Sequence, residues 1–385
     1  MSYREEKAFV ARHTNLVELK TGDGGRVAVA PEWQGRVMTS TCGGDDGPSF
    51  GFVNRAFIEA GQLDPKFNNY GGEERLWLSP EWGQFSLWFK PGAEQNMENW
   101  FTAPAINEGA WKVAEQSDTL CRMTTSMKLQ NASATRFEFE VARDVRLLPP
   151  DELNELFGKA AGELMGADGV KLVAYETKNQ ITNTGPAMTK EKGLVSVWIL
   201  SMLGAGPETV TIVPYKPGDE VELGPVVKSD YFGEIPANRL MIAPEAVLFK
   251  ADGRFRSKIG TSQRRGRNVL GSVDFRLGAL TLAQFTMPDD PAAELYMNNM
   301  WEVPQAEPYT GDVANAYNDG PNETGEQLGA FCEIESLSPA AELATGESLV
   351  HRHRTLHVRA DATTLGALTK EILGVDLDAV RKEMV

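Results

Sequence analysis

In the segment Phe331-Cys332-Glu333-Ile334-Glu335-Ser336, two carboxylates stand two residues apart. On an extended strand that spacing turns Glu333 and Glu335 to one face and Cys332 and Ile334 to the other. Neighbouring carboxylates repel, so one keeps a proton near neutrality, and a carboxyl beside a carboxylate is what proton transfer to and from a substrate needs. On the following apolar run, His351, His353 and His357 share one parity. Imidazole titrates nearest neutral pH, so this row would serve acid/base work or, with a nearby Glu, hold a divalent metal ion. An exposed strand end, with Arg352 and Arg354 interleaved, is the alternative.

Elsewhere the side chains that hold a sugar are concentrated. Aromatic faces stack on the apolar face of a pyranose, while carboxylates, amides and guanidinium groups bond its hydroxyls. Glu73, Glu74, Trp77, Glu81 and Trp82 fall within Tyr70–Gly83, preceded by Arg36 in Pro31–Val37 and by Asn54 and Arg55 in Gly51–Arg55. The polar stretch Tyr175–Gly185 leads to Trp198, which faces either core or cleft. Tyr317, Asn318 and Asp319 lie in Tyr309–Pro321, read as a substrate or ion loop, or as an ordinary turn. Trp77, Trp82 and Trp88 fit a binding platform or the core equally well.

Short apolar or alternating runs must carry these residues. They recur at Leu16–Leu19, Arg26–Ala30, Arg36–Thr41, Phe85–Phe89, Thr135–Arg146, Val170–Thr177, Leu194–Met202, Val210–Val213, Leu280–Phe285, Leu328–Ser336 and Ser348–Arg359, between Gly, Pro and Asn. Helical spacing occurs at Pro150–Leu164, read as one connecting helix, and at Asp361–Val385, where Asp376 is a second N-cap. Many strands with one internal helix predict a mainly β protein, a single large antiparallel β-sandwich over residues 1–360, with 361–385 as a helical appendage packed on it. No linker or repeat divides the 385 residues.

Composition narrows the function. With 38 Lys and Arg against 54 Asp and Glu, the net charge of −16 repels phosphate backbones and anionic lipid, so neither nucleic acid nor a membrane is an expected partner. The 3 cysteines have no zinc-ligand spacing. Signatures for nucleotide binding, serine hydrolases and zincins do not occur. The charged N-terminus leads to no apolar signal region, so the chain reads as cytoplasmic, or as periplasmic or secreted had a signal peptide been removed.

The segments Pro31–Val37, Gly51–Arg55, Tyr70–Gly83, Tyr175–Gly185 and Phe331–Pro339, with Thr345-Gly346-Glu347 leading into the last strand, resemble the galactose mutarotase-like superfamily, over about Asn15–Arg359. Phe331–Pro339 is similar to the region that supplies the catalytic base of aldose 1-epimerases. The resemblance implies a supersandwich fold, a carbohydrate ligand and a mutarotase or epimerase activity: a carboxylate removes the anomeric hydroxyl proton while an acid protonates the ring oxygen. Glu335 is the expected base and Glu333 the second choice, with His351, His353 or Arg55 assisting. Substrate contacts are expected from Arg36, Asn54, Arg55, Glu73, Glu74, Trp77, Glu81, Trp82, Trp198, Tyr317, Asn318 and Asp319. The chain departs from the pattern in having no histidine between His13 and His351, so the mid-sequence histidine of aldose 1-epimerases has no counterpart, and an uncharacterised branch is implied. No cofactor is required, although the histidine row would suit a divalent metal. A glycoside hydrolase or lyase, and a non-catalytic sugar-binding protein, are the alternative functions.

Overall fold

A computed structural model describes residues 1–385 and is mainly β. All strand pairs within its sheets are antiparallel, and strands and helices cover 37% and 16% of the chain. The largest sheet has ten strands, in the order Leu240–Ile242, Ala246–Lys250, Thr209–Pro214, Val269–Asp274, Ala279–Phe285, Ser348–Arg359, Lys171–Asn183, Arg136–Leu147, Leu120–Gln130 and Lys112–Gln116. A five-stranded sheet runs Ser257–Ser262, Asp312–Asn318, Phe331–Leu337, Ser196–Gly204 and Arg75–Ser79. Val17–Lys20, Arg26–Ala30 and Arg36–Thr41 make a third sheet of three.

Period two sorts the side chains into layers. In the five-stranded sheet, Ile334, Ile199, Val197, Leu76 and Leu78 face the large sheet and join a core with Ala283, Phe285 and Leu270. The outer face of the large sheet carries Val210, Ile212, Leu280, Leu282, Leu356 and Val358. That face would be exposed without the helices that cover it. Leu365, Leu368 and Leu373 of Ala362–Leu373, Val380 and Met384 of Leu377–Met384, and Leu153 of Pro150–Phe157 supply the covering side chains. Asp361 and Asp376 cap the two C-terminal helices, accepting from Thr364 N and Ala379 N.

Several elements differ from the sequence expectation. The connecting helix is two, Pro150–Phe157 and Lys159–Met165, because Gly158 adopts φ 85° and breaks the helical run. Four further short α-helices, Tyr3–Val10, Arg55–Ala60, Pro104–Asn107 and Glu220–Leu223, occur outside the expected ones, and in the first of them Ser2 and Glu5 form a reciprocal cap. Phe85–Phe89 is not a strand: it is a buried loop in which the Ser86 hydroxyl accepts from Trp88 N. Asp312–Asn318, read as a loop, is instead an interior strand of the five-stranded sheet. No helix is long and apolar enough to cross a membrane.

Candidate active site

Register builds the site from residues distant in sequence. On the face of the five-stranded sheet turned away from the large sheet, Lys258, Tyr317, Glu333 and Met202 lie side by side on four neighbouring strands. The next row is Gly260, Asn315, Glu335, Leu200 and Arg75. Trp198 pairs directly with Trp77 one step further. All these side chains lie on one face because cross-strand partners share a side of the pleat.

Glu335 is fully buried. Its Oε2 accepts from Trp198 Nε1 at 2.8 Å and from Lys258 Nζ at 3.0 Å, while Oε1 has no partner. Burial alone would drive the Lys258 ammonium below its ordinary pKa, but Glu335 and Glu81 outweigh it and hold the pKa up. Glu333 Oε1 accepts from Arg75 Nη2 at 2.9 Å. Burial pushes the Glu333 carboxyl up to about 7, with Arg75 opposing the rise and Glu335 adding to it. The pair therefore offers a carboxyl that exchanges its proton near neutrality and a second carboxylate with an oxygen to spare.

Aromatic side chains wall the pair. Trp77 lies 4.4 Å from Trp88 and edge-on to Trp198 at 5.6 Å, Trp88 stacks on Trp100 at 5.3 Å, and the Arg75 guanidinium sits 4.1 Å above Trp77. Half-buried Trp100 donates its Nε1 to Glu81 Oε1 at 3.0 Å, and burial raises the pKa of that carboxyl. Tyr317 donates its hydroxyl to Asp319 at 2.6 Å, and burial raises the Asp319 carboxyl as well. Asn315 Nδ2 donates to Asp312 at 3.0 Å, which leaves its Oδ1, like Glu335 Oε1, without a donor. Asp312 also accepts from the Tyr231 hydroxyl and pairs with Lys228.

Of the residues expected from sequence, the structure brings together Glu333, Glu335, Trp77, Glu81, Trp198, Tyr317 and Asp319. Trp198 faces the carboxylates. Asn318 points to the other side, donating to Phe255 O and accepting from Gly253 N. His351 and His353 lie on the large sheet, behind the five-stranded one: their Nε2 and Nδ1 each meet the Ser336 hydroxyl at 2.8 Å, on the face of Phe331–Leu337 opposite Glu335. Burial depresses both imidazoles, His351 to about 3. An assisting role for them at Glu335 would have to act through the sheet.

Glu73 and Glu74 also belong to this interior seam. Glu73 Oε1 accepts from Ser40 and Tyr175 and meets His357 Nε2 at 3.0 Å, and Glu74 pairs with fully buried Arg143 at 3.0 Å. Arg36 spends its guanidinium on Gly71 O, Asn68 O and Gln34. Arg55 pairs with Glu6 of the first helix, Asn54 caps Arg55–Ala60, and Trp82 stacks on Trp301 at 4.4 Å. Sequence reasoning missed Arg75, Lys258, Asn315 and Trp100 as members of the site. No three His, Cys, Asp or Glu side chains converge as metal ligands. Two cavities lie elsewhere: one of about 40 Å³ beside Phe50 and Cys332, and a surface groove of about 330 Å³ between Met241 and Val380.

The model of a family of unknown function, DUF6786, matches residues 1–384. No curated protein matches the chain. Among solved structures, a "putative aldose 1-epimerase" of Klebsiella pneumoniae subsp. pneumoniae MGH 78578 superposes with a TM-score of 0.51 at 11% identity, over 94% of this chain and 83% of its own. A galactose mutarotase-like protein of Lactobacillus casei ATCC 334 gives 0.46 at 10% identity, over 90% and 99%. The likeness is one of fold: the chain has the galactose mutarotase-like sandwich.

Proposed function

Because this chain belongs to the DUF6786 family of unknown function, its activity has to be read from its own site, and we propose that it is a carbohydrate-active isomerase that interconverts the anomers of an aldose. The observation that carries the reading is the buried Glu333–Glu335 pair, in which one carboxyl titrates at about 7 and the other keeps Oε1 unbonded.

Glu335 Oε1 takes the proton of the anomeric hydroxyl. The electrons of that O–H bond form the C1 carbonyl, the bond from C1 to the ring oxygen breaks, and the ring oxygen takes a proton from Glu333. Rotation about C1–C2 and the reverse steps close the ring on the other face and return both protons, so nothing is consumed. Lys258 and Trp198 hold Glu335 Oε2 and fix its orientation. Arg75 stands ready to balance the charge that appears on Glu333. Half-buried Trp100, backed by the buried Trp88 and Trp77, supports a sugar ligand, since an indole face suits the apolar face of a pyranose.

The test is anomer interconversion, followed by polarimetry and by saturation-transfer NMR, over a panel of neutral and acidic aldoses. Acceleration that the folded variant Glu335→Gln lacks supports the reading. Binding without acceleration would make the protein a carbohydrate-binding module, and release of new reducing ends from oligosaccharides would make it a glycoside hydrolase.

A further inference from the structure

Arg256 stands apart from every other arginine. Each arginine withdrawn from solvent makes a hydrogen bond or ion pair within the protein, whether to a carboxylate, as Arg75 and Arg143 do, or to backbone carbonyls, as Arg265 does with Lys216 O, Gly218 O and Gly224 O. Half-buried Arg256 makes neither, and its Nε is fully buried without a partner. A guanidinium carries five N–H donors in a planar fork, and burying them unused is costly.

Its placement is defined. The guanidinium carbon lies 4.3 Å from the centre of the Phe232 ring, and Phe232 in turn packs edge-on against Trp301 and Tyr317. Arg256 stands two residues before Lys258, just ahead of the strand that carries Lys258, and the Phe232 ring beneath the guanidinium packs on Tyr317, whose side chain shares the face of Glu333. Two residues of strand span about 7 Å, roughly the length of a sugar ring with its exocyclic carbon. The acidic groups around it are engaged elsewhere. Asp319 accepts from Tyr317 and Gly329 N, and Glu81 accepts from Trp100, so neither closes on Arg256.

We propose that Arg256 is a binding residue for an oxyanion on the substrate, a carboxylate or a phosphate carried at the end of the sugar remote from the anomeric carbon. The inference rests on the aldose reading above and narrows it to acidic aldoses. The fork of a guanidinium fits either oxyanion with two parallel hydrogen bonds. A chain of net charge −16 gives such a ligand no long-range attraction, so recognition is local to this residue.

Equilibrium binding by calorimetry tests it on the full chain, with glucose and galactose as neutral probes, glucuronate and galacturonate as carboxylates, and glucose 6-phosphate as a phosphate. Tenfold or tighter binding of an acidic probe over its neutral parent is expected, with the preference erased in Arg256→Gln and partly kept in Arg256→Lys, both variants melting as the wild type does. The uronate and phosphate arms separate the two oxyanions. Equal binding of neutral and acidic probes, or equal losses for both in Arg256→Gln, overturns the inference. Arg256-dependent binding of an acidic sugar without interconversion upholds it and sinks the isomerase reading. Interconversion of neutral sugars with no acidic preference does the reverse.

Discussion

The strand Phe331–Leu337 bears polar groups on both of its faces, and both faces are buried. On one, Glu333 and Glu335 meet Arg75, Lys258 and Trp198; on the other, Ser336 meets His351 and His353, within a seam that continues to Glu73–His357 and Glu74–Arg143. Burial fraction and residue type do not distinguish them. What differs is their surroundings. The seam lies between two sheets, where each group is oriented by others fixed in register. The carboxylate face lies under loops with half-buried residues such as Trp100, Phe232 and Arg256, whereas unbonded buried atoms occur on both sides, Glu335 Oε1 and Asn315 Oδ1 here and Glu73 Oε2 and His353 Nε2 in the seam. A buried polar cluster between sheets specifies packing, whereas one beneath loops can admit a ligand.

The largest effect that would break this contrast is at Glu335. Glu335→Gln keeps the shape and the bond from Trp198 but cannot accept a proton, so turnover of a cognate aldose should fall about 10³-fold, within the range for a general base. Its circular dichroism should match that of the wild type. An active variant would remove the distinction between the faces.

On the seam, the equivalent cut is Arg143→Met, which leaves Glu74 buried and uncompensated beside Thr177 and Thr355. A loss of about 3–5 kcal/mol in denaturant unfolding is expected, with kcat unchanged in the fraction that remains folded. A selective fall in kcat at full stability would show that the seam takes part in the chemistry.

The two faces should also answer pH with opposite sign. His351 and His353 have folded pKa values below the unfolded value, so the unfolded chain binds more protons as pH falls below about 6.5. Stability from the seam is therefore lost on acidification, progressively toward pH 3. Glu333 has a folded pKa raised to about 7, so its proton, needed for the acid role, is present below that pH and is lost as pH rises through it. Glu333 gains stability over the same window and offsets part of the histidine loss, so the seam is read as a difference: on going from pH 7 to 5 the melting temperature of His353→Gln should fall less, or rise more, than that of the wild type. The rate kcat/KM should decline above about pH 7, and Glu333→Gln should abolish that limb together with most of the rate.

The sequence made the Glu333–Glu335 face legible because parity on a strand is a local property. It also fixed that His351 and His353 share a side. It could not tell which side of each strand would be closed by a second sheet, and this decides that the histidines pack between sheets while the carboxylates lie beneath loops. Arg75 and Lys258 escaped notice because register across the sheet brings them beside residues 333 and 335, and nothing in their own segments signals that pairing. Asp312–Asn318 looked like a loop because Asn, Asp and Gly are turn formers, yet the turn begins only after Asn318. Phe85–Phe89 looked like a strand because a deeply buried loop is as apolar as one.

The sharpest form of the comparison sets neighbouring residues against each other. Ser336 follows Glu335 directly, but its hydroxyl is held between His351 Nε2 and His353 Nδ1. A hydroxyl has one hydrogen to donate, so at least one imidazole must donate to it, and the residue sets the protonation pattern of the pair. Ser336→Ala leaves both ring nitrogens without that partner in a place water does not reach, at a cost of about 1–3 kcal/mol. Because the alanine methyl points away from the carboxylates, kcat and KM should stay at wild-type values while the melting temperature falls. A lowered kcat with an unaltered melt would mean that the two faces are coupled through the strand.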